Sequence, residues 1–334
     1  MATYIPENYV SKLSIYDTQK AIGTLKRLFE DNLSGKLHLR RVSAPLFVET
    51  SSGLNDDLNG VERPVEFSIK SNNKGAQVVH SLAKWKRMAL YNYDFYPGNG
   101  IYTDMNAIRR DEDLDNLHSI YVDQWDWEKV ILPENRNIDF LKNTVKTIVW
   151  AICDTCDVIT VMFPQLNTKL DREVSFVTTQ ELEDMYPDLS PEERENEYVK
   201  NHHTTFVMQI GGKLRSGQVH GGRSPDYDDW SLNGDILFWD DVLDRAIEIS
   251  SMGIRVDAET LDKQLTEADC NNRRDFPFHK MLLAGKLPLT MGGGIGQSRL
   301  CMLLLQKAHI GEVQASIWDD EILESCKKAG IKLL

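Results

Sequence analysis

The sequence predicts an α+β fold in which helices flank a largely antiparallel sheet. Segments whose apolar residues alternate with period two are mixed along the chain with segments of helical period. No internal repeat and no linker-like stretch interrupts the 334 residues. We therefore expect one domain over residues 1–334, long enough to bury a substantial core.

Composition restricts the class of protein. The chain is 41% hydrophobic and 27% charged, with a net charge of −13. It has no long run of Lys or Arg, so we expect no nucleic-acid partner. It also has no signal peptide and no apolar span of membrane length, so we expect no membrane partner. Its five cysteines, an odd number, favour a reduced, cytoplasmic protein, in which Cys153 and Cys156 pack inside a helix.

The first predicted helix covers residues 14–33, where apolar side chains fall at helical spacing, and Gly35 is expected to end it. Residues 37–48 form a predicted strand. Because proline breaks the ladder of a central strand, Pro45 places this strand at a sheet edge or at an interface. We therefore expect a homodimer whose subunits meet through residues 14–48.

The rest of the chain is predicted to mix strands, helices and long polar loops. Residues 65–69 and 77–80 are typical of a hairpin, and Ser81 is placed to cap the next helix. Residues 211–230, rich in Gly, Ser and Asp, indicate a long loop. Further strands are predicted at residues 101–108, 117–127, 205–210, 236–239 and 246–251, and further helices at residues 82–90, 137–160, 184–203, 261–267 and 276–284.

The most distinctive local signal is a glycine-rich stretch, MGGGIGQSRL, at residues 291–300. Its glycines precede an apolar run of strong helix formers. A helix that opens near Gly296 would present unpaired N–H groups to an anion, with Arg299 in its first turn. The stretch is neither a P-loop nor a strict GxGxxG motif. A tight packing turn between a strand and a helix therefore explains it equally well.

Two segments carry polar groups that could line a pocket. The charged residues 109–113 lie in a turn between predicted strands, where mixed charge is usually solvated. Within residues 121–128, period-two alternation places Gln124, Asp126 and Glu128 on one face of the sheet. Because carboxylates are costly to bury without a cation or a ligand, this face is at least as typical of a pocket floor as of an exposed surface.

Two acidic segments could bind a cation. Residues 225–230, PDYDDW, precede Asp235, and such loops bind metal or ammonium groups or simply form Asx-turns. Glu248 is expected at a strand end with Ser250 or Ser251 beside it. A carboxylate and a hydroxyl there could hold Mg²⁺ against phosphates, although an ordinary strand end is the alternative.

Taken in this order, the segments resemble the catalytic domain of class II aminoacyl-tRNA synthetases. The matches are Val42 and Pro45 to motif 1, which forms the dimer; Arg109 and Glu112 to the motif 2 loop; Glu248, Gly253 and Arg255 to a pattern of the aspartyl, asparaginyl and lysyl subclass; and Gly294, Gly296 and Arg299 to motif 3. The resemblance implies an antiparallel sheet flanked by helices.

A closer resemblance is to the ammonia-dependent asparagine synthetase family, the aspartate–ammonia ligases. It extends from about residue 15 to residue 318. The motifs are HSLAKWKR (80–87), DED (111–113), LHS-x-YVDQWDWE (117–128), PDYDDW (225–230), LNGDIL (232–237), SSMGIRVD (250–257) and GGGIGQSRL (292–300). Two departures, Arg110 in place of a proline and a short loop after Trp230, remove none of the polar groups in these motifs.

The closer resemblance implies that aspartate, ATP and ammonia give asparagine, AMP and diphosphate through a β-aspartyl-adenylate. The implied ATP-binding residues are Arg109, Glu112, Gly294, Gly296 and Arg299. The implied aspartate-binding residues are Ser81, Lys86, Asp126, Asp228 and Arg255. The implied cofactor is Mg²⁺, which would bridge phosphates near Asp235, Glu248 and Ser251.

The resemblance also implies catalytic roles for Asp56, Arg109 and Gln124. Gln124 would donate to the reacting carboxylate or to an α-phosphate oxygen. Asp56, in the polar loop at residues 54–60, would orient ammonium or remove its proton. Two other functions fit part of the pattern. A relative that charges tRNA is opposed by the acidic balance, and a catalytically silent nucleotide-binding module is opposed by the retained arginines and carboxylates.

Overall fold

The computed structural model describes residues 3–56 and 62–334 as an array of strands covered by helices. The strands are β1 (Leu39–Arg41), β2 (Phe47–Glu49), β3 (Glu66–Ser68), β4 (Gly75–Val78), β5 (Gly100–Ile108), β6 (Tyr121–Val130), β7 (Ser175–Thr178), β8 (Thr204–Met208), β9 (Asp228–Asp240), β10 (Arg245–Arg255) and β11 (Thr290–Gly296). The helices are α1 (Ile15–Leu37), α2 (Ala83–Asn92), α3 (Ile138–Met162), α4 (Thr179–Met185), α5 (Pro191–Asn201), α6 (Ala258–Glu267), α7 (Pro277–Leu283), α8 (Gln297–Leu304) and α9 (Asp320–Lys328).

The large sheet is mainly antiparallel, as predicted. Its strands follow the order β1-β5-β6-β11-β10-β9-β8-β7. Only the pairs at its two edges, β1 with β5 and β7 with β8, are parallel. A second sheet has the order β2-β4-β3 and contains the predicted hairpin. The mixture of helices and antiparallel strands confirms the α+β class.

One face of the large sheet carries the hydrophobic core. Helices α1, α3 and α8 cover it, and Trp125 and Trp127 of β6 point into it and are fully buried. The ring of Phe29 on α1 lies 4.6 Å from that of Trp125. Burying each such aromatic side chain contributes roughly 2–3 kcal/mol. The CxxC pair also packs here, as predicted, and burial raises the pKa of both Cys153 and Cys156 to about 12.

Among residues 3–56 and 62–334, helices cover the opposite face at its sides. Helix α2 packs over β5 and β6, where Leu90 meets Ile101 and Val130. Helices α4 and α5 pack over β8 and β9, where Leu182 and Val199 belong to one cluster with neighbouring strand residues. The centre of this face, above β6, β11 and β10, therefore stays open to polar side chains.

The glycine-rich stretch forms a strand, and the predicted turn is wrong. Strand β11 lies in the middle of the sheet, paired with β6 and β10. A Cβ atom on Gly292 would lie 1.9 Å from Glu128 Oε2, and one on Gly294 would lie 2.5 Å from Gln124 Oε1. The glycines thus leave room for long side chains of β6 that lie across them. Helix α8 begins directly after Gly296, as predicted.

The sequence predicted that helix α1 ends at Gly35, and this prediction is wrong. The helix continues to Leu37 and ends at His38, whose left-handed backbone has φ 59°. Glycine in a helix interior costs only about 1 kcal/mol relative to alanine, and Leu33 and Leu37 continue the buried stripe of the helix on either side of it. Burial of these leucines outweighs the local cost.

The predicted strand at residues 37–48 is two strands in two sheets. Strand β1 pairs with β5 at an edge of the large sheet, whereas β2 pairs with β4. Pro45 lies in the connection between them, where it interrupts no ladder. The expected edge position therefore holds for β1, but Pro45 belongs to neither strand.

Several boundaries also differ from the predictions. Asp115 accepts hydrogen bonds from the N–H groups of Leu117 and His118, and this turn delays β6 until Tyr121. The charged stretch at residues 184–203 contains the end of α4 and all of α5, not one helix. Strands β9 and β10 are longer than predicted. Along the part of the chain described here, no helix is both long and apolar enough to cross a membrane.

Candidate active site

The open centre of the polar face is a cavity of about 420 Å³. Strands β6, β10 and β11 form its floor, and the connection between β5 and β6, the start of α2 and the end of the loop before β9 form its walls. All but one of the sequence-predicted site residues line it: Asp56, Ser81, Lys86, Arg109, Glu112, Gln124, Asp126, Asp228, Glu248, Ser251, Arg255, Gly294, Gly296 and Arg299. The exception is Asp235, which accepts a hydrogen bond from Arg223, a residue that lines the cavity.

A buried ion pair marks one end of the floor. Lys86 Nζ lies 3.2 Å from Asp126 Oδ1 and donates to the carbonyl of Gly293 at 3.0 Å. Burial lowers the pKa of Lys86, and the Asp126 carboxylate opposes this effect. The pair presents one cation and one anion side by side, and each offsets the cost of burying the other.

A second buried cluster lies beside the first. Arg255 Nη2 donates to Glu128 Oε2 at 2.7 Å, and Arg255 Nη1 donates to Asp228 Oδ1. Burial alone would raise the pKa of Glu128, but the Arg255 guanidinium outweighs burial and holds that pKa below its usual range. Removing one member of such a cluster typically costs 3–5 kcal/mol, since a buried charge is left uncompensated.

A β-bulge determines which face Glu248 occupies. The register of β10 against β9 shifts between Glu248 and Ser250. In a regular strand, Glu248 and Ser251 would point to opposite faces, because side chains alternate. With the extra residue, Ile249 and Met252 both pack into the core, while Glu248 and Ser251 both face the cavity. Glu248 therefore lies inside a strand, and the prediction of a strand end is wrong.

Two arginines face the other end of the cavity with weak partners inside the protein. Arg299, in the first turn of α8, lies 3.4 Å from Glu248 Oε2, and the Arg109 guanidinium lies 4.0 Å from Glu112. Their side chains are 22% and 26% exposed, and Arg109 Nε has no hydrogen-bond acceptor among residues 3–56 and 62–334. Both cations can therefore meet an anionic ligand without breaking a strong contact.

The predicted Mg²⁺ ligands fit the ion in chemistry but are engaged elsewhere. Two carboxylates and a hydroxyl are hard oxygen donors, and Mg²⁺ usually combines one or two carboxylates with phosphates and water. However, Arg223 donates to Asp235 Oδ1 at 2.5 Å and also to Ser251 Oγ. Among the residues that the structure describes, no group of three His, Cys, Asp or Glu side chains is close enough to hold a metal ion.

Asp56 and Ser81 also line the cavity. Asp56 is buried, and its carbonyl oxygen lies 3.1 Å from His80 Nδ1. Most of the predicted polar loop that follows, residues 57–60, lies outside the described residues. The N-cap of α2 is Leu82 rather than Ser81. Ser81, one residue before the N-cap, nevertheless accepts a hydrogen bond through Oγ from the N–H of Ala83 at 3.1 Å. It therefore still satisfies a backbone N–H at the start of α2.

Sequence reasoning missed a buried cluster behind the cavity wall. Asp226 accepts from Arg273 at 3.0 Å and lies 3.3 Å from Lys84 Nζ and 2.9 Å from His279 Nε2. Burial alone would raise the pKa of Asp226, but Lys84, the hydrogen bond with His279 and Arg273 outweigh it and hold that pKa well below its usual range. The cluster anchors the end of the loop before β9, which carries Arg223.

The fold is that of class II aminoacyl-tRNA synthetases. Asparaginyl-tRNA synthetase from Pyrococcus horikoshii, complexed with asparaginyl-adenylate, has a TM-score of 0.65 at 13% identity, covering 91% of this chain and 70% of that one. Aspartyl-tRNA synthetase from Entamoeba histolytica has a TM-score of 0.59 at 18% identity, covering 91% and 58%. Likeness at these identities shows the fold alone.

Closer relatives identify the family. A profile described as aspartate-ammonia ligase matches residues 16–330. The aspartate–ammonia ligase of Lactobacillus johnsonii is 60% identical over 336 residues, which cover 100% of both chains. That of Clostridium perfringens is 58% identical over 332 residues, which cover 99% of both. The chain belongs to the aspartate–ammonia ligase family.

Proposed function

We propose that this protein is an ammonia-dependent asparagine synthetase. It joins aspartate and ammonia at the expense of ATP, through a β-aspartyl-adenylate, and releases AMP and diphosphate. One observation carries the proposal: a single cavity has paired charges at one end and two weakly engaged arginines at the other. The first end suits a zwitterionic amino acid and the second suits a triphosphate.

The paired charges are proposed to fix the two ends of aspartate that do not react. Lys86 and Arg255 are cations for the α-carboxylate, and Asp126 and Asp228 are acceptors for the α-ammonium group. Because all four side chains are buried, little water competes for the substrate, and each interaction is stronger than it would be at a surface. Ser81, which also lines the cavity, adds a hydroxyl. The side-chain carboxylate of aspartate is left pointing towards the arginine end.

The first chemical step is proposed to be adenylation. An oxygen of the side-chain carboxylate attacks the α-phosphorus of ATP, the bond to the bridging oxygen breaks, and diphosphate leaves. Arg109 neutralises charge that develops on the α-phosphate, and Arg299 holds the γ-phosphate. Gln124, at the junction of the two ends, donates to the carboxylate or to an α-phosphate oxygen. Glu112, Gly294 and Gly296 complete the ATP site.

Asp235, Glu248 and Ser251 are proposed to provide ligands for Mg²⁺ that enters with ATP. When bound, Mg²⁺ would neutralise phosphate charge and orient the leaving diphosphate. The protein groups themselves need no further chemistry in this step, since the attacking carboxylate is already ionised at neutral pH.

The second step is proposed to be attack of ammonia on the activated carbonyl. The nitrogen lone pair of ammonia forms the C–N bond, the C–O bond to AMP breaks with its electron pair leaving on AMP, and the nitrogen then releases its extra proton to solvent. Ammonium, the dominant species at neutral pH, has no lone pair, so a base is required. Asp56, a buried residue that lines the cavity, is proposed to attract ammonium and to take its proton.

The decisive experiment incubates purified protein with aspartate, ATP, Mg²⁺ and ammonium and separates the products by HPLC. Asparagine and AMP should appear in equal amounts. Formation of ADP and phosphate would instead exclude the adenylate route. Replacing ammonium by glutamine at equal concentration is the matched control and should give far less asparagine.

We also propose that the enzyme is a cytoplasmic homodimer joined through residues 14–48. Strand β1 lies at a sheet edge, and Leu46 and Phe47, which follow it, are 51% and 45% exposed. Light scattering at micromolar concentration should give twice the chain mass, and Leu46→Asp should shift the mass towards one chain. A monomeric wild type would refute this interface.

A further inference from the structure

Arg223 occupies the position that the predicted metal ligands surround. Its side chain is 8% exposed. Nη2 donates to Asp235 Oδ1 at 2.5 Å, and Nη1 donates to Ser251 Oγ. Nε points towards Asp228, 3.8 Å from Oδ2, and has no hydrogen-bond acceptor within residues 3–56 and 62–334. Thus one buried guanidinium binds two of the three groups that the family resemblance implies as Mg²⁺ ligands.

A guanidinium and Mg²⁺ exclude each other from these oxygens. Both are cations, and in a buried site their repulsion is only weakly screened. Mg²⁺ also requires its ligands at 2.0–2.1 Å in near-octahedral geometry, typical of its protein sites. Asp235 Oδ1 and Ser251 Oγ already accept from the guanidinium, so the ion would have to compete for the same atoms beside a fixed positive charge. Tight binding of a metal ion there therefore requires the guanidinium to move away.

From this arrangement we propose that Arg223 is a gate for the metal site. It keeps Asp235 and Ser251 closed to free Mg²⁺ when no nucleotide is bound, and it moves to phosphate oxygens when ATP enters with the metal. The proposal rests on the proposed function, because it requires a triphosphate in this cavity.

The surroundings of Arg223 allow such a movement. Its backbone follows Gly221 and Gly222, whereas Asp226, three residues later, is fixed by its buried cluster. The side chain can therefore swing while the end of the loop stays in place. Arg223 already lines the same cavity as Arg299 and Glu248. Phosphate oxygens accept the bidentate hydrogen bonds that a guanidinium donates, so its new partners replace the lost ones.

The consequence for the enzyme is ordered metal use. Free Mg²⁺ would otherwise bind between Asp235 and Ser251. An arriving nucleotide would then have to displace this ion or place its phosphates correctly on it. With the gate closed, Arg223 neutralises the Asp235 carboxylate in place of a metal ion. Only the ion that is bound to the nucleotide then enters the site. Affinity for metal then depends on ATP, and by thermodynamic linkage affinity for ATP depends on metal.

The test measures Mn²⁺ binding to nucleotide-free enzyme by electron paramagnetic resonance. Arg223→Met and Arg223→Gln should each gain one Mn²⁺ site that is at least about tenfold tighter than in the wild type, since a unit charge beside the ligands is removed. Arg223→Lys keeps the charge and should stay close to the wild type. Arg223→Met combined with Asp235→Asn should lose the gained site.

The proposal also predicts a change in nucleotide binding. Arg223→Met should raise the KM for ATP by roughly tenfold or more, because one phosphate contact is lost. Equal Mn²⁺ affinity in the wild type and in both neutral variants, with unchanged circular dichroism and unfolding temperature, would overturn the gate. A tight Mn²⁺ site in the nucleotide-free wild type would also overturn it. Product analysis of the wild type tests the proposed function separately.

Discussion

Gly294→Ala is the substitution that most directly tests the cavity floor. The added Cβ would lie 2.5 Å from Gln124 Oε1 and 2.7 Å from Asp126 Oδ1, whereas ordinary contact begins at 3.4 Å. The end of Gln124 must therefore move by about 0.9 Å, the difference between these distances. A misplacement of about 1 Å in a catalytic geometry can cost roughly 10²-fold in rate.

Stability should change much less than activity. Both clashing atoms are far ends of flexible side chains, so they can shift while the backbone of β11 stays in place. Overpacking costs roughly 1–3 kcal/mol, and alanine recovers about 0.4–1 kcal/mol by restricting the unfolded chain. We therefore expect the free energy of unfolding to fall by roughly 0–2.6 kcal/mol.

The assays are aspartate-dependent ATP–diphosphate exchange and urea unfolding. Gly212→Ala is the matched control, because a Cβ on Gly212 has no atom within 4 Å, and it should retain wild-type exchange. Exchange by Gly294→Ala within threefold of the wild type would refute the assignment of Gln124 and Asp126 to the reaction. Loss of folding would refute the claim that only side chains must move.

Three further predictions concern charge. Asp56→Asn should retain ATP–diphosphate exchange but lose asparagine formation, with partial recovery at higher pH as free ammonia increases; loss of both half-reactions would point to aspartate binding instead. Arg109→Ala and Arg299→Ala should each slow exchange by roughly 10²-fold or more, as loss of a transition-state contact does, and wild-type exchange in either would contradict the phosphate assignment. Burial raises the pKa of Asp240 from 3.8 to about 7, so its contribution to stability is full below about pH 4 and is lost as the pH rises to 7. In urea unfolding at pH 8, the free energy of unfolding of Asp240→Asn should then exceed that of the wild type by up to about 4 kcal/mol. If this difference between variant and wild type were the same at pH 5 and at pH 8, Asp240 would not be protonated in the folded protein.

The floor of the site could be predicted from the sequence because it depends on one local rule. Alternation in β6 places Gln124, Asp126 and Glu128 on one face, and the structure confirms it. The same rule fails in β10, since a bulge after Glu248 changes which residues share a face. No local sequence pattern predicts the extra residue of this bulge.

Contacts between distant segments could not be predicted. Asp226 meets Lys84 across 142 residues and His279 across 53, and a single sequence carries no signal that joins them. The strand formed by the glycines was missed for a related reason. Glycine has a low preference for strands, and only the side chains of β6 that cross Gly292 and Gly294 explain its presence there.

Long side chains on β6 lie against glycines on β11. Substitutions on one strand therefore restrict which substitutions the other strand can accept. Gly292 stands in register with Glu128, and Gly294 stands in register with Asp126. An added methyl group at Gly292 finds its space already filled by the Glu128 carboxylate. A lineage can enlarge one member only if it shortens the other, so these paired positions are expected to covary or to remain fixed together.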